Sequence, residues 1–346
     1  MFRPPFCPYR GCSAHRSTDP EFCTRYGSYR PKCRPRPVPR FRCRSCGRTF
    51  SRQTFRYDYR DHRPDLNSRL LELLASGLGL RASGRLLKLS LHSTERKARK
   101  IGRHLRQLNL NLRGPLPAGS RFVFDELETY EGRRNTRPLT VPILVEGNSL
   151  FLVWAESETI RPSGRMSKAR IAAIDEDERR FGRRKNRSAR AIHRTLRRGA
   201  ELMPEGCVFR VDTDEKTVYP GHLEKALGAD RIEHHQTNSL VPRKTWNPLF
   251  PVNSEEARAR DTMGRLRRES WLVSKSRRWL DIALHIHIAY RNFVRRRSLA
   301  DEHSPASMLG FVERRLRPAE LLSWRQIWGE RSPSPLGRAR AISRAS

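Results

Sequence analysis

The sequence predicts a mixed α/β domain preceded by a small cysteine-rich ribbon and an all-α unit of three short helices. Six of the seven cysteines lie within the first 46 residues. The apolar residues between positions 66 and 101 recur with a helical period. Two later apolar stretches each end in acidic residues, as strands that lead into a functional site often do. The predicted segments are a ribbon over 1–55, a helical unit over 64–112, an α/β domain over 119–298 and a basic tail over 299–346.

The charge balance predicts a polyanionic partner. The 346 residues contain 71 Lys and Arg against 36 Asp and Glu, which gives a formal net charge of +35. This excess is spread along the chain, as in proteins that lie along nucleic acid. The alternative is that the basic residues only solvate the protein surface and reflect an arginine-rich proteome. No stretch is apolar enough to span a membrane, and the N-terminus has no signal-peptide core, so we expect a cytoplasmic protein.

The N-terminal cysteines predict a structural zinc site. Cys7-x4-Cys12 and Cys43-x2-Cys46 form two pairs, and two such pairs can close a tetrahedral site on a ribbon that is too small to have its own core. In a reducing compartment, metal binding is a better explanation of clustered cysteines than disulfides. Three other residues could replace Cys12 as a ligand: Cys23, Cys33 and His15. The alternative to a zinc site is that the cysteines are free thiols.

The helical unit predicts a helix-turn-helix. One helix fits residues 66–74, a second fits 81–89, and a third begins at Ser93 or Thr94, either of which could cap it. The third helix is rich in basic residues and would enter the major groove of DNA. The alternative is an ordinary solvated face. The predicted DNA contacts are Arg96, Lys97, Arg99, Lys100 and Arg103.

The α/β domain predicts a cation site at one edge of a sheet. Asp125 ends the first strand, and Asp212 and Asp214 follow the fourth. If the first and fourth strands are adjacent, their acids meet, and carboxylates suit Mg²⁺ or Mn²⁺. A strand-end Asp125 paired with an arginine is the alternative. The predicted elements are a linker at 109–117, strands at 121–125, 139–145, 150–155 and 207–211, a basic helical stretch at 161–198, and helices at 221–227 and 253–293.

Four motifs together resemble the bacterial insertion-sequence transposases of the DDE class, which combine a zinc ribbon, a helix-turn-helix and an RNase H-like core. The resemblance reaches to about residue 297. It implies DNA transposition by a cut-and-paste or copy pathway. The motifs are Cys43-Arg-Ser-Cys-Gly-Arg-Thr-Phe-Ser51, Phe124-Asp-Glu-Leu-Glu-Thr129, Thr213-Asp-Glu-Lys-Thr-Val-Tyr219 and Arg265-Leu-Arg-Arg-Glu-Ser-Trp-Leu-Val-Ser-Lys275.

The resemblance also implies the catalytic residues. Asp214 is favoured over Asp212 because the acid of that motif precedes a tyrosine by five residues, here Tyr219. With Asp125 it would bind magnesium or manganese together with a third carboxylate on a later helix. That helix carries Asn253 where some relatives carry Glu. The candidates for the third carboxylate are Glu255, which we prefer, and the alternatives Glu256 and Glu269.

The implied reaction is strand cleavage and strand transfer by two metal ions. The implied partners are double-stranded DNA, both as terminal inverted repeats and as target, and further copies of the chain in a synaptic complex at the bacterial nucleoid. The alternative function is a catalytically inactive relative that binds specific DNA sequences. The tail would hold one short helix near residues 317–328 and be disordered from residue 329.

Overall fold

The computed structural model describes residues 2–324, except 18, 34–35, 239 and 268–271. The first module is a small antiparallel sheet in the order β1-β2-β3. Its own apolar cluster consists largely of phenylalanine rings, including Phe6, Phe41 and Phe50. So few apolar residues give a marginal core, which fits a module that needs a metal. The strands are β1 (Cys23–Tyr29), β2 (Val38–Cys43) and β3 (Thr49–Ser51).

Three helices follow, as predicted, but the third begins earlier and ends later than expected. Its cap is Ser90, whose hydroxyl accepts a hydrogen bond from the Ser93 backbone at 3.2 Å, so neither Ser93 nor Thr94 is the cap. Its C-terminal turns include residues 109–111, which the sequence had assigned to a linker. The helices are α1 (Asn67–Ala75), α2 (Leu80–Leu86) and α3 (Leu91–Asn111).

The central element is a six-stranded mixed sheet in the order β6-β5-β4-β8-β9, with the short β7 paired to β5. The prediction that the first and fourth strands of the domain are adjacent is confirmed, because β4 pairs in parallel with β8. The polar edge strand β9 was not predicted. The strands are β4 (Arg121–Tyr130), β5 (Pro138–Glu146), β6 (Leu152–Ala155), β7 (Glu158–Thr159), β8 (Phe209–Asp214) and β9 (Ile232–Thr237).

Helices cover both faces of this sheet. Side chains alternate along β4, so Phe122 and Phe124 pack with α3 and the helix 188–200, whereas Val123 and Leu127 pack with the helix 250–262. Asp125 has the same parity as Val123 and Leu127 and therefore lies on the second face. The helices are α4 (Lys168–Phe181), α5 (Ser188–Ala200), α6 (Tyr219–Leu227), α7 (Phe250–Thr262), α8 (Arg277–Phe293), α9 (Pro305–Met308) and α10 (Pro318–Ser323).

Residues 299–324 are part of the core rather than a loose tail. Phe311, Leu321 and Leu322 are buried in the same apolar cluster as α1 and α3. The predicted helix at 317–328 is found as the shorter α10. The disorder expected from residue 329 falls outside the described residues. Within the described part of the chain, no helix has the length and apolarity needed to cross a bilayer.

Candidate metal centre and acidic cleft

The four predicted cysteines converge on one point. The Sγ atoms of Cys7 and Cys46 lie 3.8 Å apart, and those of Cys12 and Cys43 lie 3.7 Å apart. All four sulfur atoms lie within 4.8 Å of one another. A tetrahedral Zn²⁺ with sulfur ligands at about 2.3 Å requires sulfur–sulfur separations of about 3.8 Å. The cluster therefore has the size and ligand set for a structural zinc ion.

The local backbone prepares Cys43 as a thiolate. Burial alone would raise its pKa, but backbone N–H groups of Cys46 and Ser45 donate to its sulfur and lower the pKa to about 7. The tight turn that brings these amides into place is closed by a hydrogen bond from the Gly47 N–H to the Cys43 carbonyl at 3.0 Å, with Gly47 at a φ of 68°. A thiolate at neutral pH is the form that binds zinc.

The three residues that could have replaced Cys12 lie outside the cluster. His15 places Nδ1 2.7 Å from the Cys7 carbonyl oxygen. Cys33 donates through its sulfur to the Asp61 carbonyl. Cys23 lies opposite Cys43 in the β1–β2 pairing. Among the described residues, the cluster of Cys7, Cys12, Cys43 and Cys46 is the only group of three or more potential ligands that is this compact.

The second site lies on the sheet, where parallel pairing of β4 and β8 puts Asp125 beside Asp214. Val123 is opposite Asp212 in the register. Asp125 and Asp214 each lie two residues further along their parallel strands, so they are neighbours. The sequence predicted that Asp125 ends its strand. Instead it lies in the middle of β4, because the strand continues to Tyr130. Asp214 is the last residue of β8, and one of its oxygens accepts from the Lys216 backbone at 3.1 Å.

Asp212 has a structural role. It is 4% exposed and forms an ion pair with Arg121 of the neighbouring strand. Its charge is therefore compensated within the sheet. This placement agrees with the choice of Asp214 over Asp212 as the acid available for chemistry.

On α7, the two adjacent glutamates have different environments. Glu255, the preferred candidate from sequence, is 1% exposed and is bound by the Arg291 guanidinium at 2.8–3.1 Å and by Arg258. Glu256 instead lines the cleft that contains Asp125, and it forms an ion pair with Arg260 at 2.9 Å. The structure therefore corrects the preference, because Glu255 is enclosed by arginines away from the cleft. Glu269 lies outside the described residues.

The cleft has acids at its base and arginines around them. Its volume is about 760 Å³, and Asp125, Glu128, Asn253 and Glu256 contribute to its lining. Arginines from five positions of the chain also line it. Sequence reasoning did not single these out, because nothing in the sequence distinguishes them among 71 basic residues. They are Arg134, Arg170, Arg243, Arg260 and Arg267.

Neighbouring acids act on Asp125 through their charge. The pKa of Asp125 is raised to about 7, first by burial and then by the negative charges of Glu256, Asp214 and Glu126. Burial and the negative charges of Glu126, Asp125 and Asp214 also raise the pKa of Tyr219. A divalent cation would relieve the repulsion between Asp125 and the neighbouring carboxylates that raises its pKa.

Not every acid near the cleft is available. Glu126 accepts a hydrogen bond from Thr140 at 2.7 Å and binds the Lys216 ammonium at 2.6 Å, so its charge is compensated by lysine. Glu128 is exposed to the cleft. His285 and His287 are both buried, one near Glu156 at 3.8 Å and the other beside Thr262 at 3.2 Å. Their side chains therefore have different neighbours and do not form a joint metal site.

Two of the five predicted DNA contacts on α3 are used inside the protein. Lys97 is 3% exposed, donates to the Arg63 carbonyl and to Asn67, and pairs with Asp61 at 3.2 Å. Lys100 donates to the Tyr59 carbonyl and lies 3.7 Å from Asp61. These lysines join α3 to the segment after the cysteine module.

The other predicted DNA contacts remain nearer the surface. Arg96 and Arg103 are exposed, whereas Arg99 is half-buried, with its guanidinium carbon 5.8 Å from the centre of the Trp279 ring. The helix thus offers a narrower basic face than its composition suggests.

Comparison of the chain with protein-family models finds no match, and comparison with curated proteins finds none either.

Proposed function

We propose that the protein is a DNA transposase of the DDE class, with an RNase H-like core, a zinc ribbon and a helix-turn-helix. The observation that supports this most strongly is the meeting of acids from three separate elements: Asp125 from β4, Asp214 from β8 and Glu256 from α7. A mixed sheet with two central parallel strands that bear the first two acids is the arrangement expected of such a core. The formal charge of +35 suits a DNA substrate.

Asp125, Asp214 and Glu256 would hold the catalytic Mg²⁺ or Mn²⁺. When bound, two such ions would activate a water or a 3′-hydroxyl and stabilise charge on the attacking and leaving oxygens. The charges of Glu256 and Asp214 both raise the pKa of Asp125, so Asp125 would hold the metal together with these two acids. The arginines of the cleft would bind the phosphates on either side of the reacting bond, and burial of Asp125 would limit competing solvent.

The other parts of the protein would bring DNA to this cleft. The N-terminal module and the exposed side of α3, with Arg96 and Arg103, would bind the terminal inverted repeats of the element. Two or more copies of the chain would pair the ends before target joining. Action on DNA would place the protein at the nucleoid.

The test is cleavage of duplex DNA that carries the sequences flanking the gene, with and without Mg²⁺. We expect metal-dependent cutting that falls by on the order of 10³-fold in Asp125→Asn and in Asp214→Asn, because loss of a metal ligand removes several kcal/mol of transition-state stabilisation. Both variants should bind the DNA as the wild type does. Glu128→Gln is the matched control, since Glu128 is an exposed acid of the same cleft.

The second candidate function is a sequence-specific DNA-binding protein without cleavage. It is favoured by Asn253, an amide on the cleft-facing side of α7 three residues before Glu256. Tight binding of the flanking ends with no cutting under Mg²⁺ or Mn²⁺ would support it. Equal cutting by wild type and Asp125→Asn would show that the cleft is not the catalytic site.

A further inference from the structure

The outer face of the cysteine module carries an exposed tyrosine beside two arginines. Tyr26 of β1 is 47% exposed. The guanidinium carbons of Arg40 and Arg42, both on β2, lie 5.5 Å and 5.3 Å from the centre of its ring. The other face of β2 carries the buried Phe41 and Cys43. The group therefore faces away from the zinc site and the small core.

The backbone of β1 is shaped to place this tyrosine. Pairing of β1 with β2 is regular up to Arg25 and resumes at Ser28, so Tyr26 and Gly27 form a bulge. Gly27 has a φ of 74°, a conformation that residues with a side chain rarely adopt. A bulge redirects the side chain it contains. Here it brings the ring of Tyr26 beside both arginines.

The two arginines have only neutral partners. Arg40 donates to the Thr49 hydroxyl at 3.3 Å, and Arg42 donates to the Gly47 carbonyl at 3.1 Å. Neither forms an ion pair within the described part of the chain. Arg44, two residues further on, is different because it pairs with Glu21 at 3.7 Å. The first 60 residues contain 15 Lys and Arg but only three Asp and Glu, so acids are scarce around the group.

Two guanidinium groups held beside one ring repel each other, and that repulsion is relieved when an anion binds between them. The ring contributes to the site by attracting both cations and holding their planes in place. We propose that Tyr26, Arg40 and Arg42 form a phosphate-binding site for the DNA backbone, separate from α3 and from the acidic cleft. The ligand is the phosphodiester backbone, read without regard to base sequence.

The proposal does not depend on cleavage, so it is tested in the Asp125→Asn background, zinc-loaded and without Mg²⁺. Binding of a fluorescein-labelled 20-base-pair duplex is measured by anisotropy at several salt concentrations. Each phosphate contact contributes about 0.9 to the slope of log affinity against log salt concentration. Because both arginines serve one phosphate site, we expect Arg42→Gln to reduce the slope by up to about 0.9. Adding Arg40→Gln should change it little further, whereas Arg44→Gln leaves it unchanged, because Glu21 already compensates that charge.

Variants of Tyr26 separate the ring from its hydroxyl. Tyr26→Phe keeps the ring and should bind within about twofold of the parent, whereas Tyr26→Ala should weaken binding about 3- to 10-fold, as expected for the loss of two exposed cation–π contacts. Zinc content and circular dichroism establish that each variant retains its fold. A variant that loses zinc is replaced by Arg42→Lys, which keeps the charge, loses the planar fork and should bind more weakly.

Three outcomes would overturn the proposal. The first is an equal change of slope in Arg42→Gln and Arg44→Gln, which would mean that only overall charge matters. The second is Tyr26→Ala binding as tightly as Tyr26→Phe. The third is competition by polyglutamate as effective as competition by unlabelled duplex of equal charge concentration, which would indicate a site for acidic protein instead of DNA.

Discussion

The cysteine cluster and the acidic cleft both consist of side chains of types that can bind metal ions, but only the cluster is closed. Four sulfur atoms already lie within 4.8 Å of one another, at the spacings of a tetrahedral zinc site. The carboxylates of Asp125, Asp214 and Glu256 are near enough to raise the pKa of Asp125 but are not gathered as compactly. Protonated thiols can pack together without a metal, whereas carboxylates repel until a cation joins them. A closed site suits structure, and an open one suits exchange of substrate.

The largest effect that would test this difference is removal of zinc. Cys43→Ser should reduce the zinc content from about one ion per chain to near zero and unfold residues 2–55, because zinc-dependent modules draw about 10–16 kcal/mol of apparent binding free energy from the metal. Metal analysis and limited proteolysis measure this. Cys33→Ser is the control, since the Cys33 sulfur donates to the Asp61 carbonyl and lies outside the four-cysteine cluster. A zinc-free Cys43→Ser protein with an intact module would contradict the assignment.

The next effect separates the neighbouring glutamates of α7. Glu255→Gln should lower the free energy of unfolding by about 3–5 kcal/mol, because Arg291 would be left buried without its carboxylate. Glu256→Gln should change stability little but abolish metal-dependent cleavage. Urea unfolding and the cleavage assay measure the two effects. Loss of cleavage in Glu255→Gln with cleavage retained in Glu256→Gln would instead indicate Glu255 as the third carboxylate.

A somewhat smaller effect concerns how firmly α3 is joined to the segment that follows the cysteine module. Lys97→Met should cost about 3 kcal/mol of stability, because Asp61 is buried and loses its closest cation. Arg96→Gln, one residue away and exposed, is the matched control and should weaken DNA binding without changing the unfolding midpoint. If Lys97→Met instead weakened DNA binding at unchanged stability, α3 would bind DNA through its buried side.

The smallest effect is a pH dependence of the cleft. In the metal-free protein the pKa of Asp125 is about 7, well above its ordinary value of 3.8. The stability linked to its proton is therefore fully present below about pH 4 and is lost as the pH rises through 7. Binding of Mg²⁺ must displace that proton, so affinity should fall up to about tenfold per pH unit below pH 7.

Calorimetric titration at pH 5.5, 6.5 and 7.5 checks this dependence. Asp125→Asn should show weak binding that does not vary with pH. The cysteine cluster should lose zinc only under more acidic conditions, where thiolates are protonated despite the metal. A Mg²⁺ affinity that is flat with pH in the wild type would mean that Asp125 is not a ligand.

The sequence predicted the parts of both sites that depend on spacing and on strand pairing. The Cys43-x2-Cys46 turn and the adjacency of the strands bearing Asp125 and Asp214 follow from local patterns. The edge strand β9 does not follow from such a pattern. Its sequence, Ile232-Glu-His-His-Gln-Thr237, is mostly polar and lacks the alternation of apolar and polar residues that predicts a strand. An edge strand needs little apolar surface, since only one side pairs with the sheet.

What the sequence could not predict depends on partners far along the chain. Glu255 and Glu256 are adjacent on a helix and point about 100° apart, so only the position of Arg291 decides which one is enclosed. Lys97 was predicted to contact DNA, but in the structure it forms a buried ion pair with Asp61. The apolar residues between 309 and 322 have no helical period, because they are divided among short turns that each bury one or two side chains.

The return of the C-terminal residues to the helical unit sets an order for biosynthesis. Leu321 is fully buried, and its carbonyl oxygen lies 2.9 Å from His104 Nε2, a residue made 217 positions earlier. At 5–20 residues per second, a ribosome needs about 10–40 s to span that interval. The core beneath α1 and α3 therefore stays incomplete until Leu321 and its neighbours have been made. A chain that ends before residue 321 lacks this part of the core and should be degraded faster than a chain that includes it.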